Sequence, residues 1–170
     1  MRALAILASL AFLSVGFAQP VPDTTVKAAF VARFPEFVEW PLSDRAPSRA
    51  LSVCLSPAHP FGTKVAESAG SAVQGRPVSV RTLGRSDVVD GCDVLYVAPA
   101  DVGLLQRAQR KPILTVGDQA DFCQLGGIIN LRVIDRRVRF EVGLAQARHV
   151  GLTIDSQLLR LAAAVHGGRS

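Results

Sequence analysis

The chain has 170 residues, of which 49% are hydrophobic, and carries 19 Lys and Arg against 14 Asp and Glu, a net charge of +5. That length suits one domain with a sizeable core that needs no staples. The basic excess is mild and scattered, without a basic stripe interleaved with aromatics, so nucleic acid is not an expected partner.

Met1-Arg2 leads into an almost unbroken apolar run from Ala3 to Ala18, with small residues at Gly16 and Ala18 and a break at Gln19-Pro20. Charge, apolar run and small residues in that order read as a cleaved secretory signal peptide. The run is shorter than the roughly 20 residues a spanning helix needs. The expected layout is therefore a signal peptide over 1–18 and an exported domain over 19–170. Losing Arg2 leaves 18 basic residues against 14 acidic ones.

Asp23 reads as a helix N-cap. Val26, Phe30, Phe34 and Phe37-Val38 then recur at helical spacing up to Trp40-Pro41. Pro35 interrupts this pattern and should kink or split the helix. At least half of these aromatics belong in a core, and the rest are available as a contact surface. Leu42 to Arg49 reads as a loop. Ala50 to Leu55 is a short buried strand, and Pro60 to Ala69 a helix closed by Gly70. Pro77 to Leu83 alternates, with Val78 and Val80 on one face and Ser79 and Arg81 on the other. Asp93 to Ala98 is another buried strand. Asp101 caps a helix to Arg110, Lys111-Pro112 breaks it, and Ile113 to Val116 is a further strand. Asp118 to Phe122 reads as a short helical turn.

Gly126-Gly127 introduces a strand from Ile128 to Ile134, and Asp135-Arg136 turns the chain. Val138, Phe140 and Val142 then alternate with Arg137, Arg139 and Glu141, which predicts an antiparallel hairpin with one wet face. Helical spacing returns from Leu144, and Leu158, Leu159, Leu161 and Ala162 mark a terminal helix. The order predicts an α/β fold: a single three-layer domain, a mixed sheet with helices on both faces, and a C-terminal antiparallel hairpin.

Catalytic signatures do not emerge from this order. The chain has no G-x-S-x-G elbow, no H-E-x-x-H and no C-x-x-C. His59, His149 and His166 stand apart, and Glu36 and Glu39 read as a solvated helix face. Gly126-Gly127 precedes a strand, so it suits a turn better than a phosphate cradle. No catalytic residue, metal or cofactor is assigned on this basis, and the chain is expected not to be an enzyme. Of Cys54, Cys92 and Cys123, two should pair in an oxidising compartment. Spacing alone leaves all three pairings open. Arg137, Arg139 and Glu141, joined by Arg148, form the candidate partner- or ligand-binding face, because guanidinium forks match carboxylate and phosphate. A charged sheet edge that resists aggregation explains the same pattern.

The sequence resembles the YfiR-like family of exported bacterial proteins. The resemblance runs in order through Lys27-Ala28-Ala29-Phe30, Phe37-Val38-Glu39-Trp40-Pro41, Ser52-Val53-Cys54, Gly91-Cys92-Asp93-Val94-Leu95-Tyr96-Val97 and Pro112-Ile113-Leu114-Thr115-Val116-Gly117-Asp118. It continues through Gly126-Gly127-Ile128-Ile129-Asn130-Leu131, Val138-Arg139-Phe140-Glu141-Val142 and Gly151-Leu152-Thr153-Ile154, then Ser156, Leu158-Leu159 and Leu161-Ala162. It departs at Gly143, where the family usually has Asn, and at Asp155, where it has Ser. A fourth cysteine that some members carry after the Cys123 position is also missing.

The resemblance implies a Cys54–Cys92 disulfide with Cys123 as a free thiol. It further implies a periplasmic repressor that holds an inner-membrane diguanylate cyclase, or a related sensor kinase, inactive by binding its periplasmic domain. Such a repressor controls cyclic-di-GMP and biofilm, and an outer-membrane lipoprotein can sequester it. A homodimer is left open. The alternatives are a periplasmic sensor that holds a small ligand in a sheet crevice and, less favoured, an unrecognised periplasmic enzyme.

Overall fold

The computed structural model describes residues 22–41, 49–57, 61–70 and 72–168. The expected signal peptide, most of the 42–49 loop and His59 fall outside these residues. Helix α1 (Asp23–Arg33) ends where the sequence has Pro35, and a short 3-10 turn, Phe34–Phe37, follows it. Pro35 thus splits the expected helix. The segment after the split is β1 (Val38–Glu39), so Glu36 and Glu39 do not share a helix face. Glu36 instead accepts from Arg33 at 2.5 Å. Pro22, not Asp23, occupies the N-cap position, and Asp23 supplies an acidic first-turn residue, which suits the helix dipole.

The remaining elements keep the expected order, with short unpredicted strands added among them. They are β2 (Leu51–Leu55), α2 (Gly62–Ala69), β3 (Ala72–Val73), β4 (Arg76–Thr82), β5 (Val94–Val97), α3 (Val102–Ala108) and β6 (Leu114–Gly117). After them come β7 (Ile129–Ile134), β8 (Arg137–Gly143), α4 (Leu144–His149), β9 (Thr153–Ile154), α5 (Ser156–Leu161) and β10 (Ala164–His166). Residues 118–127 form turns rather than the expected helical turn.

The main sheet has eight strands in the order β10-β8-β7-β6-β5-β2-β4-β3. Strands β4, β2, β5, β6 and β7 run parallel, and β8 returns antiparallel to β7. This is the mixed α/β sheet that the sequence predicts. The central strands are buried on both sides, as a covered parallel sheet requires. Leu51, Val53, Leu55, Val94, Tyr96, Leu114 and Val116 join one core, beneath α1 and α2. Their alternates Cys54, Leu95 and Val97 join a second core with Leu104 and Leu105 of α3.

The dry face of the β7–β8 hairpin belongs to the first core. Phe30 and Phe34 stack at 5.6 Å between ring centres, and Phe34 meets Phe140 edge-on at 5.3 Å. These rings tie α1 to β8, so the first element of the domain holds the last hairpin in place. Asp135 and Arg136 both have positive φ, 49° and 58°, the geometry of a two-residue hairpin turn that matches strand twist.

Four short strands, β1, β3, β9 and β10, were not predicted, and β3 pairs antiparallel with β4. β9 pairs antiparallel with β1, and β10 runs parallel to β8 at the sheet edge. The terminal helix is correspondingly short and ends at Leu161.

Candidate functional site

In the β7–β8 ladder Arg137 lies opposite Ile134, Arg139 opposite Arg132, and Glu141 opposite Asn130. Directly opposed residues share a face; it is wet near the turn, at Arg132, Ile134, Arg137 and Arg139, and covered at Asn130 and Glu141, which the alternation does not predict. Arg137 and Arg139 are exposed. Together with Ile134 on β7 and Arg160 and Leu161 on α5 they line a shallow hollow of about 650 Å³. Leu161 is 65% exposed and Ile134 40%. The hollow thus has an aliphatic floor ringed by three guanidinium groups and the Asp135 carboxylate, with the cationic groups in excess. Like charges opposed across a ladder are unfavourable, and Arg132 faces Arg139 here, so the surface suits an anionic visitor. Arg160 and Leu161 were missed by sequence reasoning, because only the fold brings α5 against the hairpin. Arg148, in the last turn of α4, does not line the hollow.

Glu141 is occupied differently. Its carboxylate lies 3.4 Å from His166 Nε2 on β10 and 3.9 Å from Arg132. Cys123 also reaches this point, with one ligand atom each from Cys123, Glu141 and His166 within 4.8 Å of one another. Local packing explains how the loop brings the thiol there. The Phe122 ring sits between Gly117 and Gly127, where an added Cβ would meet it at 2.5 and 2.2 Å. A Cβ on Gly143 would come within 2.5 Å of the Gly127 carbonyl and 3.5 Å of Cys123 Cβ. The glycines therefore let residues 122–127 lie directly on the sheet, which is more than the turn expected of Gly126-Gly127. Burial, then the nearby Glu141 charge, pushes the Cys123 thiol up to about 12. A thiol held in its protonated form is a poor nucleophile.

The profile of the YfiR/HmsC-like family matches residues 24–163. The chain belongs to the YfiR/HmsC-like family. Its members act as signalling regulators rather than enzymes.

Several family motifs now have physical roles. Cys54 and Cys92 form the disulfide that the resemblance implies, with Cα atoms 5.8 Å apart, within the usual range for a bridge. Cys123 is free and buried. Lys27 of α1 donates to Asp118 at 2.7 Å just past β6, and both side chains are largely buried. Burial, followed by the Asp118 charge and a hydrogen bond to it, raises the Tyr96 phenol far above its ordinary value. One ion pair thus fastens α1 across the ends of β5 and β6. Asp93 forms a second anchor at the opposite strand ends. Its carboxylate accepts from Ser52 N at 2.7 Å, Arg49 at 2.6 Å and Arg76 at 3.0 Å.

Both departures from the YfiR-like pattern can also be read. Asp155 Oδ1 accepts from Gln157 N at 2.6 Å and so caps α5, work that the usual Ser performs equally well. Gly143 permits the close approach of Gly127 described above, which a larger residue would prevent without a backbone shift.

A second concavity of about 390 Å³ lies beside Trp40, Arg49, Cys92 and Lys111. The buried Trp40 Nε1 has no hydrogen-bond partner among the described residues. Arg49 and Lys111 are already paired, with Asp93 and Asp90 respectively.

Proposed function

We propose that this protein is a periplasmic signalling regulator that binds and represses the periplasmic domain of an inner-membrane diguanylate cyclase or related sensor, and so controls cyclic-di-GMP and biofilm. The observation that carries this reading is the family match across residues 24–163, which covers every element from α1 to α5 and the loops between them. The hollow on the hairpin supports it with a surface of suitable chemistry. An aliphatic side chain of the receptor would fill the floor between Ile134 and Leu161, and receptor carboxylates would meet Arg137, Arg139 and Arg160.

Repression is then a matter of linkage. The regulator binds one receptor conformation more tightly than the other, and its differential affinity sets how far the receptor shifts. Catalysis by this chain has no part in the scheme. An outer-membrane lipoprotein that takes up the regulator would release the cyclase.

The test is titration of the periplasmic domain of a candidate inner-membrane diguanylate cyclase from the same organism with the mature protein. Binding at or below micromolar concentration is expected. Arg137→Ala with Arg139→Ala should weaken it at least tenfold while leaving thermal stability within about 0.5 kcal/mol of wild type. Arg139→Ala with Arg148→Ala asks whether α4 extends the surface. Full binding by both folded variants would remove the hairpin from the proposal, and no binding by wild type would remove the receptor.

The small-ligand reading is favoured by one observation, the Trp40 Nε1 beside the second concavity, which has no partner among the described residues. A ligand that accepts this N–H should raise the melting temperature, and Trp40→Phe should abolish that rise.

A further inference from the structure

Cys123, Glu141 and His166 come from three separate elements: the loop before β7, strand β8 and the edge strand β10. Their ligand atoms nevertheless converge to within 4.8 Å of one another. The His166 Nε2 to Glu141 Oε2 distance is 3.4 Å. A tetrahedral zinc ion with bonds of about 2.0–2.1 Å to nitrogen and oxygen spaces those two atoms by about 3.4 Å. The sulfur needs to stand about 3.6 Å from each of them, within reach of a small side-chain adjustment.

A fourth residue points the same way independently. Asn130 is fully buried, lies opposite Glu141 in the ladder and shares its face. Neither its amide nitrogen nor its amide oxygen has a partner among the described residues. Buried carboxamides are almost always satisfied, so this one indicates a polar occupant. Its carbonyl oxygen, or a water that it holds, can complete a fourth coordination position.

We infer that Cys123, Glu141 and His166 form a binding site for a borderline divalent transition-metal ion, with zinc as the best match. The mixed sulfur, oxygen and nitrogen donors select it over magnesium and calcium, which take oxygen ligands throughout. Zinc binds cysteine as the thiolate, so binding releases the thiol proton to solvent. Arg132 is the one Lys or Arg that contacts Glu141 among the described residues, at 3.9 Å, and its side chain is 43% exposed. It can therefore turn into solvent as the metal arrives. The bound ion would clamp β10 and the 118–127 loop to β8. The site is separate from the arginine hollow, and its test does not depend on the receptor.

The experiment uses the mature chain, purified without a metal-affinity tag and with its disulfide intact. Zinc is titrated in and the bound metal measured after dialysis. One zinc per chain is expected, with affinity reduced at least tenfold in Cys123→Ser and in His166→Ala. His149→Ala, an exposed control on α4, should bind as wild type does. Cobalt in place of zinc should give a thiolate-to-metal charge-transfer band that Cys123→Ser abolishes. Lack of stoichiometric zinc in the wild type overturns the inference, as does wild-type affinity in His166→Ala or a cobalt complex without the thiolate band. Should Cys123→Ser fail to fold, His166→Ala, at the half-exposed edge strand, and the wild-type cobalt spectrum still decide the matter.

Discussion

Replacing Cys54 and Cys92 together by Ala removes the covalent link between β2 and the segment that enters β5. The bridge closes a sequence separation of 38 residues. In the chain-entropy model a loop of that size restricts the unfolded ensemble by about 4 kcal/mol at 25 °C. Both cysteines are buried in the second core beside Leu95, Leu104 and Leu105, so the lost sulfur contacts should add to this rather than offset it. For a domain of this size the loss corresponds to a fall in melting temperature of about 8–16 °C. Urea unfolding followed by circular dichroism measures it directly. The unfolded state of the variant is less constrained and exposes more surface, so the slope against urea should rise while the midpoint falls. A loss below about 1 kcal/mol would refute the entropic account of the bridge.

Other substitutions probe the anchors around the site. Lys27→Met leaves the Asp118 carboxylate without its ammonium partner and should cost about 3 kcal/mol by denaturant unfolding. Gly127→Ala places a Cβ 2.2 Å from the Phe122 ring, and forced repacking there should cost about 1–3 kcal/mol, whereas Ala at the exposed Gln124 should be silent. The Cys123 thiol should resist a disulfide exchange reagent at pH 8 in the native state and react fully in urea. Its folded pKa of about 12 lies above the reference value of 9.0. Its contribution to stability is therefore complete below about pH 9 and lost as the pH rises toward 12. Cys123→Ala should flatten the fall in stability that begins above about pH 9.

The fold was legible wherever one side-chain period dominated. Ala50 to Leu55 and Asp93 to Ala98 are short apolar runs bounded by breakers, and both became central strands. Alternation through Val138, Phe140 and Val142 located the hairpin and its dry face, and Pro35 announced the break after α1. Three-residue β10 carries no such pattern: Ala164-Val165-His166 becomes a strand because the edge of β8 offers it hydrogen bonds. β9 likewise exists through β1. Asp118 to Phe122 looked helical because Asp118 resembles a cap, yet its carboxylate is taken by Lys27.

The candidate sites followed the same division. The arginine face was readable from alternation within one strand, but Arg160 and Leu161 come from a helix with no local link to it. Cys123, Glu141 and His166 have no metal-like spacing in the sequence. They meet only because β10 runs parallel to β8 and the glycines let Phe122 lie against the sheet. Such convergence is a property of topology, which local pattern does not encode.

The central claim concerns a membrane cyclase, and the direct measurement is its output. The full-length cyclase, reconstituted in vesicles with its periplasmic domain accessible, should synthesise cyclic-di-GMP from GTP at a steady rate. Adding the mature protein should reduce that rate in a saturable way, and the Arg137→Ala/Arg139→Ala variant should require at least ten times the concentration for the same effect. An unchanged rate at saturating wild-type protein would contradict the proposed function.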